Sequence, residues 1–113
     1  MSTCVFCRIA AGEIPARIVH EDDLVLAFHD LSPVAPTHLL VIPKRHIASL
    51  AEAGAEDAGL LGRLVVVAGQ LAREKHLTGG FRVVLNAGSD GGQSVDHLHL
   101  HLLGGRAFSW PPG

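Results

Sequence analysis

The segment Gly88-Ser89-Asp90-Gly91-Gly92-Gln93-Ser94-Val95-Asp96-His97-Leu98-His99-Leu100-His101-Leu102 places three histidines at alternate positions behind a glycine-rich stretch. In a β-strand, residues i, i+2 and i+4 share one face, so a strand over residues 97–103 lines up three imidazoles over roughly 13 Å. Leu98, Leu100 and Leu102 then turn to the opposite face, where they can anchor a core. Imidazole titrates near neutrality and serves as nucleophile, acid, base or metal ligand. A same-face row of three is costly to pack unless something polar sits in front of it; the plain alternative is a solvated strand face.

Upstream, Gly88, Gly91 and Gly92 allow backbone N–H groups to converge on an anion, and Ser94 adds a hydroxyl. This is no P-loop, because no Gly-Lys-Ser/Thr follows and the next element reads as a strand. By itself the loop could be an ordinary hairpin turn. Ahead of aligned imidazoles it becomes a phosphate cradle, with His99 as attacker and His101 as the acid beside it. The sequence has no acidic cluster suited to Mg²⁺, so no catalytic metal is expected.

Outward from this segment, the periodicities predict an α+β fold: a mostly antiparallel sheet of about five strands with one short and one long helix. The short helix covers residues 4–11, ended by Gly12 and Pro15. Residues 17–21 and 24–29 form a hairpin around Asp22-Asp23, residues 37–42 a buried strand, and residues 81–86 and 97–103 the last two strands. The long helix runs over residues 57–76, with acidic residues at its start and basic ones near its end. Its glycines Gly59, Gly62 and Gly69 weaken helix propensity and suggest close packing against a neighbour.

The 113 residues suit a single domain spanning 1–113. The chain is 48% hydrophobic, with a mean hydropathy of +0.32. It has no apolar run of membrane-spanning length and no basic segment leading into an apolar one at its start, so a cytoplasmic protein with no membrane partner is expected. The surplus apolar surface points to burial against a second copy. Net charge is −2 with scattered basic residues, which gives no nucleic-acid footprint. Cys4 and Cys7 form a C-x-x-C pair that either binds metal or remains as free thiols. The end, Ser109-Trp110-Pro111-Pro112-Gly113, is stiff and cannot be helical.

Residues 93–103 resemble the motif of the histidine-triad family. The likeness extends to Phe28-His29-Asp30-Leu31-Ser32-Pro33, Ala35-Pro36-Thr37-His38, Pro43-Lys44-Arg45-His46-Ile47 and Leu103-Gly104-Gly105-Arg106, and the Trp110-Pro111-Pro112-Gly113 end resembles the nucleotide-binding branch of that family. The resemblance implies a purine nucleoside phosphoramidase, which cleaves the P–N bond of adenosine or guanosine 5′-monophosphoramidates through a covalent nucleotidyl-histidine. It casts His99 as nucleophile, His101 as the contact to phosphate and leaving group, and His38 as flanking the leaving group. Ser94, Asn86, Gly92 and Gln93 would hold the phosphate, and Asp30 the ribose hydroxyls. Phe6, Ile9, Phe28, Leu31 and Leu40 would sandwich the base. Phe6, Ile9 and Leu40 have ordinary core as their alternative, and Asp30 a turn at a strand end.

In zinc-containing relatives, the cysteine pair is joined by the histidine of the Pro-Lys-x-His segment and by the first triad histidine. Cys4, Cys7, His46 and His97 would therefore hold a structural Zn²⁺. Asp96 stands where many relatives carry an aromatic residue; on a strand it points away from the histidine row. The resemblance also implies a homodimer with one continuous sheet, in which Trp110 of one subunit reaches the other's active site. Other readings are a dinucleoside polyphosphate hydrolase, a nucleotide-binding regulator with incidental hydrolysis, and a zinc metallohydrolase using two triad imidazoles. The Trp-Pro-Pro-Gly end speaks against the first, and the third leaves the glycine loop, Ser94 and Asn86 without a purpose.

Overall fold

Local side-chain hydrogen bonds start several of the elements. Asp22 Oδ1 accepts the N–H groups of Leu24 (2.8 Å) and Val25 (2.9 Å), closing the turn between β1 (Ile18–Glu21) and β2 (Val25–His29). Cys4 caps α1 (Val5–Ala10), its sulfur accepting from the Cys7 N–H at 3.4 Å. The computed structural model describes residues 2–113. After β3 (Thr37–Pro43), two single 3₁₀ turns lead into α2 (Ala58–Glu74), followed by β4 (Phe81–Leu85) and β5 (Leu100–Gly104).

The strands form one five-stranded sheet in the order β1-β2-β3-β5-β4, with every neighbouring pair antiparallel. The expected α+β architecture is therefore the one observed. Helix α2 covers one face through Leu64, Val67 and Leu71, which meet Val25, Ala27, Leu39, Val41, Leu98, Leu100 and Leu102. The other face carries a smaller cluster of Phe6 from α1 with Leu26, Phe28, Leu40 and Ile42. All three alternating leucines, Leu98, Leu100 and Leu102, are fully or almost fully buried. Each contributes about 1.5–3 kcal/mol by leaving water, which anchors the histidine-bearing segment from behind.

One expectation needs correction. The last strand starts at Leu100, not at His97. Residues 95–97 bend, with the His97 N–H on Val95 O at 2.8 Å, and the Leu98 N–H goes to Ile47 O at 2.7 Å instead of to a strand partner. The in–out alternation survives because Leu98 is still held in the α2-side core. Asp96 consequently lies in a bend, where it is exposed beside a groove shared with Cys4 and His46.

The glycines of α2 do not mediate close packing within the chain. A Cβ at Gly59 or Gly62 would meet no described heavy atom within 4 Å, and one at Gly69 would meet only the Arg73 guanidinium, at 3.9 Å. They lie on the outer side of the helix, near exposed Val65 and Val66. Among the described residues, no helix is long and apolar enough to cross a membrane.

Candidate active site

On the α1 side of the sheet, a cleft of about 300 Å³ opens between the histidine segment, α1 and residues 14–17. Phe6, Ile9, Phe28, Leu31 and Leu40 supply apolar wall; Asp30, Ser94, His99 and His101 supply polar groups. Phe6 stands edge-on to Phe28, His97 and His99, with ring centroids 5.5, 5.9 and 5.2 Å away. Phe6 and Leu40 are core residues, and the edge they leave uncovered also lines the cleft. Ile14, Pro15, Ala16 and Arg17 also line the cleft. Sequence reasoning missed them; their only signal was the apolar Ile14-Pro15 pair directly after the first helix.

Backbone partners set the tautomers of His99 and His38, and His38 sets that of His101. His99, buried at 2% exposure, donates from Nδ1 to the His97 carbonyl at 2.7 Å. Its Nε2 therefore carries a free lone pair, the form a nucleophile needs. His38 Nδ1 accepts the Val34 N–H at 3.1 Å, so His38 carries its proton on Nε2. That proton lies between His101 Nδ1, at 2.9 Å, and Asp30 Oδ2, at 3.4 Å. With its Nδ1 accepting, His101 holds its own proton on Nε2. The pair His99 and His101, ring centroids 5.0 Å apart, thus combines a bare nitrogen with an N–H donor.

Burial is the main reason that His38 and His101 titrate below the ordinary histidine range. For His101 the neighbouring His99 and His38 add to it, against a smaller opposing effect of Asp30, and the result is a pKa of about 4. For His38, Asp30 opposes the burial effect. Both rings are neutral at pH 7, which is what the hydrogen-bond pattern requires. Asp30 also fills the turn role proposed for it, since its Oδ1 accepts the Ser32 N–H at 2.7 Å. Its second oxygen remains directed at the histidine pair.

At the other end of the segment, Cys4, Cys7, His46 and His97 bring one ligand atom each within 4.8 Å of one another. Cys4 Sγ lies 3.4 Å and Cys7 Sγ 3.5 Å from His97 Nδ1, Cys7 Sγ lies 3.3 Å from His46 Nδ1, and the two Nδ1 atoms are 3.2 Å apart. With Zn–N of about 2.0–2.1 Å and Zn–S of about 2.3 Å, tetrahedral ligands stand roughly 3.3–3.8 Å apart, so this set fits a zinc ion closely. His97 Nε2 donates to the Pro43 carbonyl at 2.8 Å, which leaves Nδ1 bare and aimed at the sulfurs. Burial, with the adjacent Cys4 adding to it, raises the Cys7 thiol pKa; a dication among the four groups would reverse that preference.

The glycine loop is less open to an anion than its composition suggests. The Gly88 N–H donates to Gln93 Oε1, and those of Gly92 and Gln93 donate to Ser89 O and Gly88 O. Asn86 Nδ2 is held by Gly91 O at 2.7 Å, and Gln93 Nε2 by Ala48 O and Val95 O. Of the expected phosphate ligands, the structure brings Ser94 into the cleft with His99; Asn86 and Gly92 bond within the loop, and Gln93 ties the loop to Ala48 and Val95. Trp110, 85% exposed, lies outside the cleft of its own chain.

Residues 3–109 match the family described as scavenger mRNA decapping enzyme C-term binding. An uncharacterized HIT-like protein of Synechococcus elongatus is 56% identical over 109 residues, which is 96% of each chain. The crystal structure of a HIT family hydrolase from Legionella pneumophila superposes with a TM-score of 0.96 at 53% identity, covering 98% of this chain and 100% of that one. A histidine triad nucleotide-binding protein from Candida albicans gives a TM-score of 0.82 at 31% identity, over 98% of this chain and 85% of that one.

Proposed function

The chain belongs to the histidine-triad (HIT) family, and from that premise we propose that it is a hydrolase of purine nucleoside 5′-monophosphoramidates. The observation that carries the reading is the pairing of tautomers: a bare His99 Nε2 beside a protonated His101 Nε2, in a cleft with an apolar wall at one side and Ser94 and Asp30 at the other. The purine occupies the wall of Phe6, Ile9, Phe28, Leu31 and Leu40, and the ribose hydroxyls donate to Asp30. Ser94 donates to a phosphate oxygen. His99 Nε2 attacks the α-phosphorus, the P–N bond breaks, and its electron pair leaves with the amine, which takes the proton of His101 Nε2.

Because His101 is neutral with a pKa near 4 in the free protein, the bound phosphate has a second task. Its negative charge raises the affinity of His101 for protons, so that the ring takes up a second proton, meets the amine as an imidazolium and returns to neutral imidazole when its Nε2 proton leaves with the amine. Water then hydrolyses the phosphorus–His99 bond, releasing the nucleoside monophosphate and restoring the imidazole. Cys4, Cys7, His46 and His97 would hold a structural Zn²⁺, which would tie α1 to the triad segment and would take no part in bond cleavage.

The reading also includes a homodimer. The edge strand β4 exposes Phe81 and Val83, α2 exposes Val65 and Val66, and Trp110 has no apolar neighbourhood in its own chain. A kinetic panel of adenosine and guanosine monophosphoramidates against dinucleoside polyphosphates tests the function. Preferred turnover of the phosphoramidates, with a nucleotidyl adduct on His99 trapped by acid quench and mass spectrometry, is expected. Preference for dinucleoside polyphosphates would transfer the assignment to that substrate class.

A further inference from the structure

We infer that Arg106 is a positioning residue: by holding the peptide of Val34 it fixes the tautomer of His38 and, through His38, that of His101. Gly105 makes this reach possible. It sits at φ +87, and a Cβ there would lie 2.8 Å from Pro36 Cβ, so only glycine lets the chain fold back this tightly over the proline. The Arg106 guanidinium then donates to the Val34 carbonyl from Nη2 at 3.2 Å and Nε at 3.4 Å. Residues 31–34 are exposed, so no burial of their own holds this loop still. On the other side of the Val34 Cα, its N–H points to His38 Nδ1. A peptide free to rotate would let His38 switch its proton to Nδ1, and His101 would lose the donor that keeps its own proton on Nε2.

The guanidinium is itself held. It stacks on the Phe108 ring at 4.2 Å and donates to Ala107 O at 3.1 Å. Arg82 lies over the same ring at 5.0 Å and donates to Ser109 O and Pro112 O, which connects this clamp to the terminal segment. Arg106 does not line the substrate cleft, so its effect passes through His38.

The proposal rests on the reading of His101 as the acid, and two measurements keep the ideas separable. The first is long-range ¹H–¹⁵N correlation of the imidazoles in the full chain. The parent should show His38 and His101 each protonated at Nε2 only. Arg106→Ala should give averaged nitrogen shifts for both rings, and Arg106→Lys, which keeps one donor, should restore them in part. Val34→Pro, which deletes the N–H and spares the arginine, should reproduce the Arg106→Ala pattern.

The second measurement compares leaving groups. Turnover of an alkylamine phosphoramidate should fall roughly tenfold in Arg106→Ala, part of the about 10²–10⁴ that a positioned acid contributes. A nitrophenyl nucleotide ester, whose leaving group needs no proton, should lose less than about twofold on the same basis. Unchanged tautomers in Arg106→Ala overturn the proposal. Changed tautomers with equal losses for both substrates uphold the positioning role and remove His101 as the acid.

Discussion

The two ends of the histidine segment use the same side chain for opposite purposes. At the His97 end, the Pro43 carbonyl takes the Nε2 proton and exposes Nδ1 to two sulfurs. At the His101 end, the Val34 N–H occupies His38 Nδ1 and sends a proton donor inward along the chain. His99 lies between them and takes its orientation from the His97 carbonyl. Backbone contacts to His97, His99 and His38 thus leave Nδ1 bare on His97, Nε2 bare on His99 and, through His38, a proton on His101 Nε2, the states that the proposed metal ligand, nucleophile and acid need. The Asp30, His38 and His101 atoms also lie close enough together to suggest a metal site. The difference between the two ends argues against it: with Nδ1 already accepting a hydrogen bond, the neutral His38 ring has a proton, not a lone pair, at Nε2.

The largest expected effect comes from the middle of the segment. His99→Ala should reduce phosphoramidate turnover by roughly 10⁴-fold or more while nucleoside monophosphate still binds, because the apolar wall and Asp30 lie elsewhere. Single-turnover kinetics with calorimetric binding checks this, and activity within tenfold of the parent would remove the covalent step. His101→Asn should cost about 10²-fold or more for alkylamine leaving groups and much less for nitrophenyl esters. A loss independent of the leaving group would break the proposed contrast between His99 and His101.

The His97 end should behave as structure rather than as chemistry. Chelator-free preparations should contain about one zinc per chain, absent from Cys4→Ser or Cys7→Ser. Those variants should melt lower by about 5 °C or more, yet keep most of their kcat. Absence of metal from the parent would make the cysteines free thiols and return His97 to the catalytic candidates.

Acidification should strain both ends together. His101, with a folded pKa of about 4, and His38 and His97, also lowered by burial, stay neutral where the unfolded chain is already protonated. The unfolded state then binds more protons, so stability rises with pH across this window. The urea midpoint should fall progressively from about pH 6.5 toward pH 4. A flat midpoint across that range would mean that these rings are not buried neutral.

The smallest effect is expected at the terminus. Deleting residues 109–113 should leave folding intact and change the ranking of phosphoramidates by amine size, with light scattering showing a dimer at micromolar concentration. A monomer with unchanged amine preference would confine the site to one chain.

Much of the scaffold was legible because its signals are local. The alternation of Leu98, Leu100 and Leu102 identified the buried face even where the backbone departs from a regular strand. Asp22-Asp23 announced a turn, and the spacing of Leu61, Leu64 or Val65, Ala68 and Leu71 or Ala72 announced the apolar stripe of α2, of which Leu64, Ala68, Leu71 and Ala72 are buried, Leu61 is partly buried and Val65 is exposed. The starting point of β5 was not legible, because it depends on the Leu98 N–H choosing Ile47 O, 51 positions away in sequence, over a strand partner. The inward hydrogen bonding of the glycine loop was hidden for a similar reason: composition shows that N–H groups can converge but not that Gln93 Oε1, Ser89 O and Gly88 O will accept three of them.

By itself, then, the sequence determined which side chains are able to bear the proposed chemistry and which face of the segment they occupy, since both follow from side-chain identity and a two-residue period. Only the tertiary structure decided which nitrogen each histidine leaves bare. A ring's tautomer is chosen by the peptide group opposite it, and the groups on Pro43, Val34 and the His97 carbonyl are common to every residue. They acquire meaning only when the sheet and its loops bring them within hydrogen-bond distance.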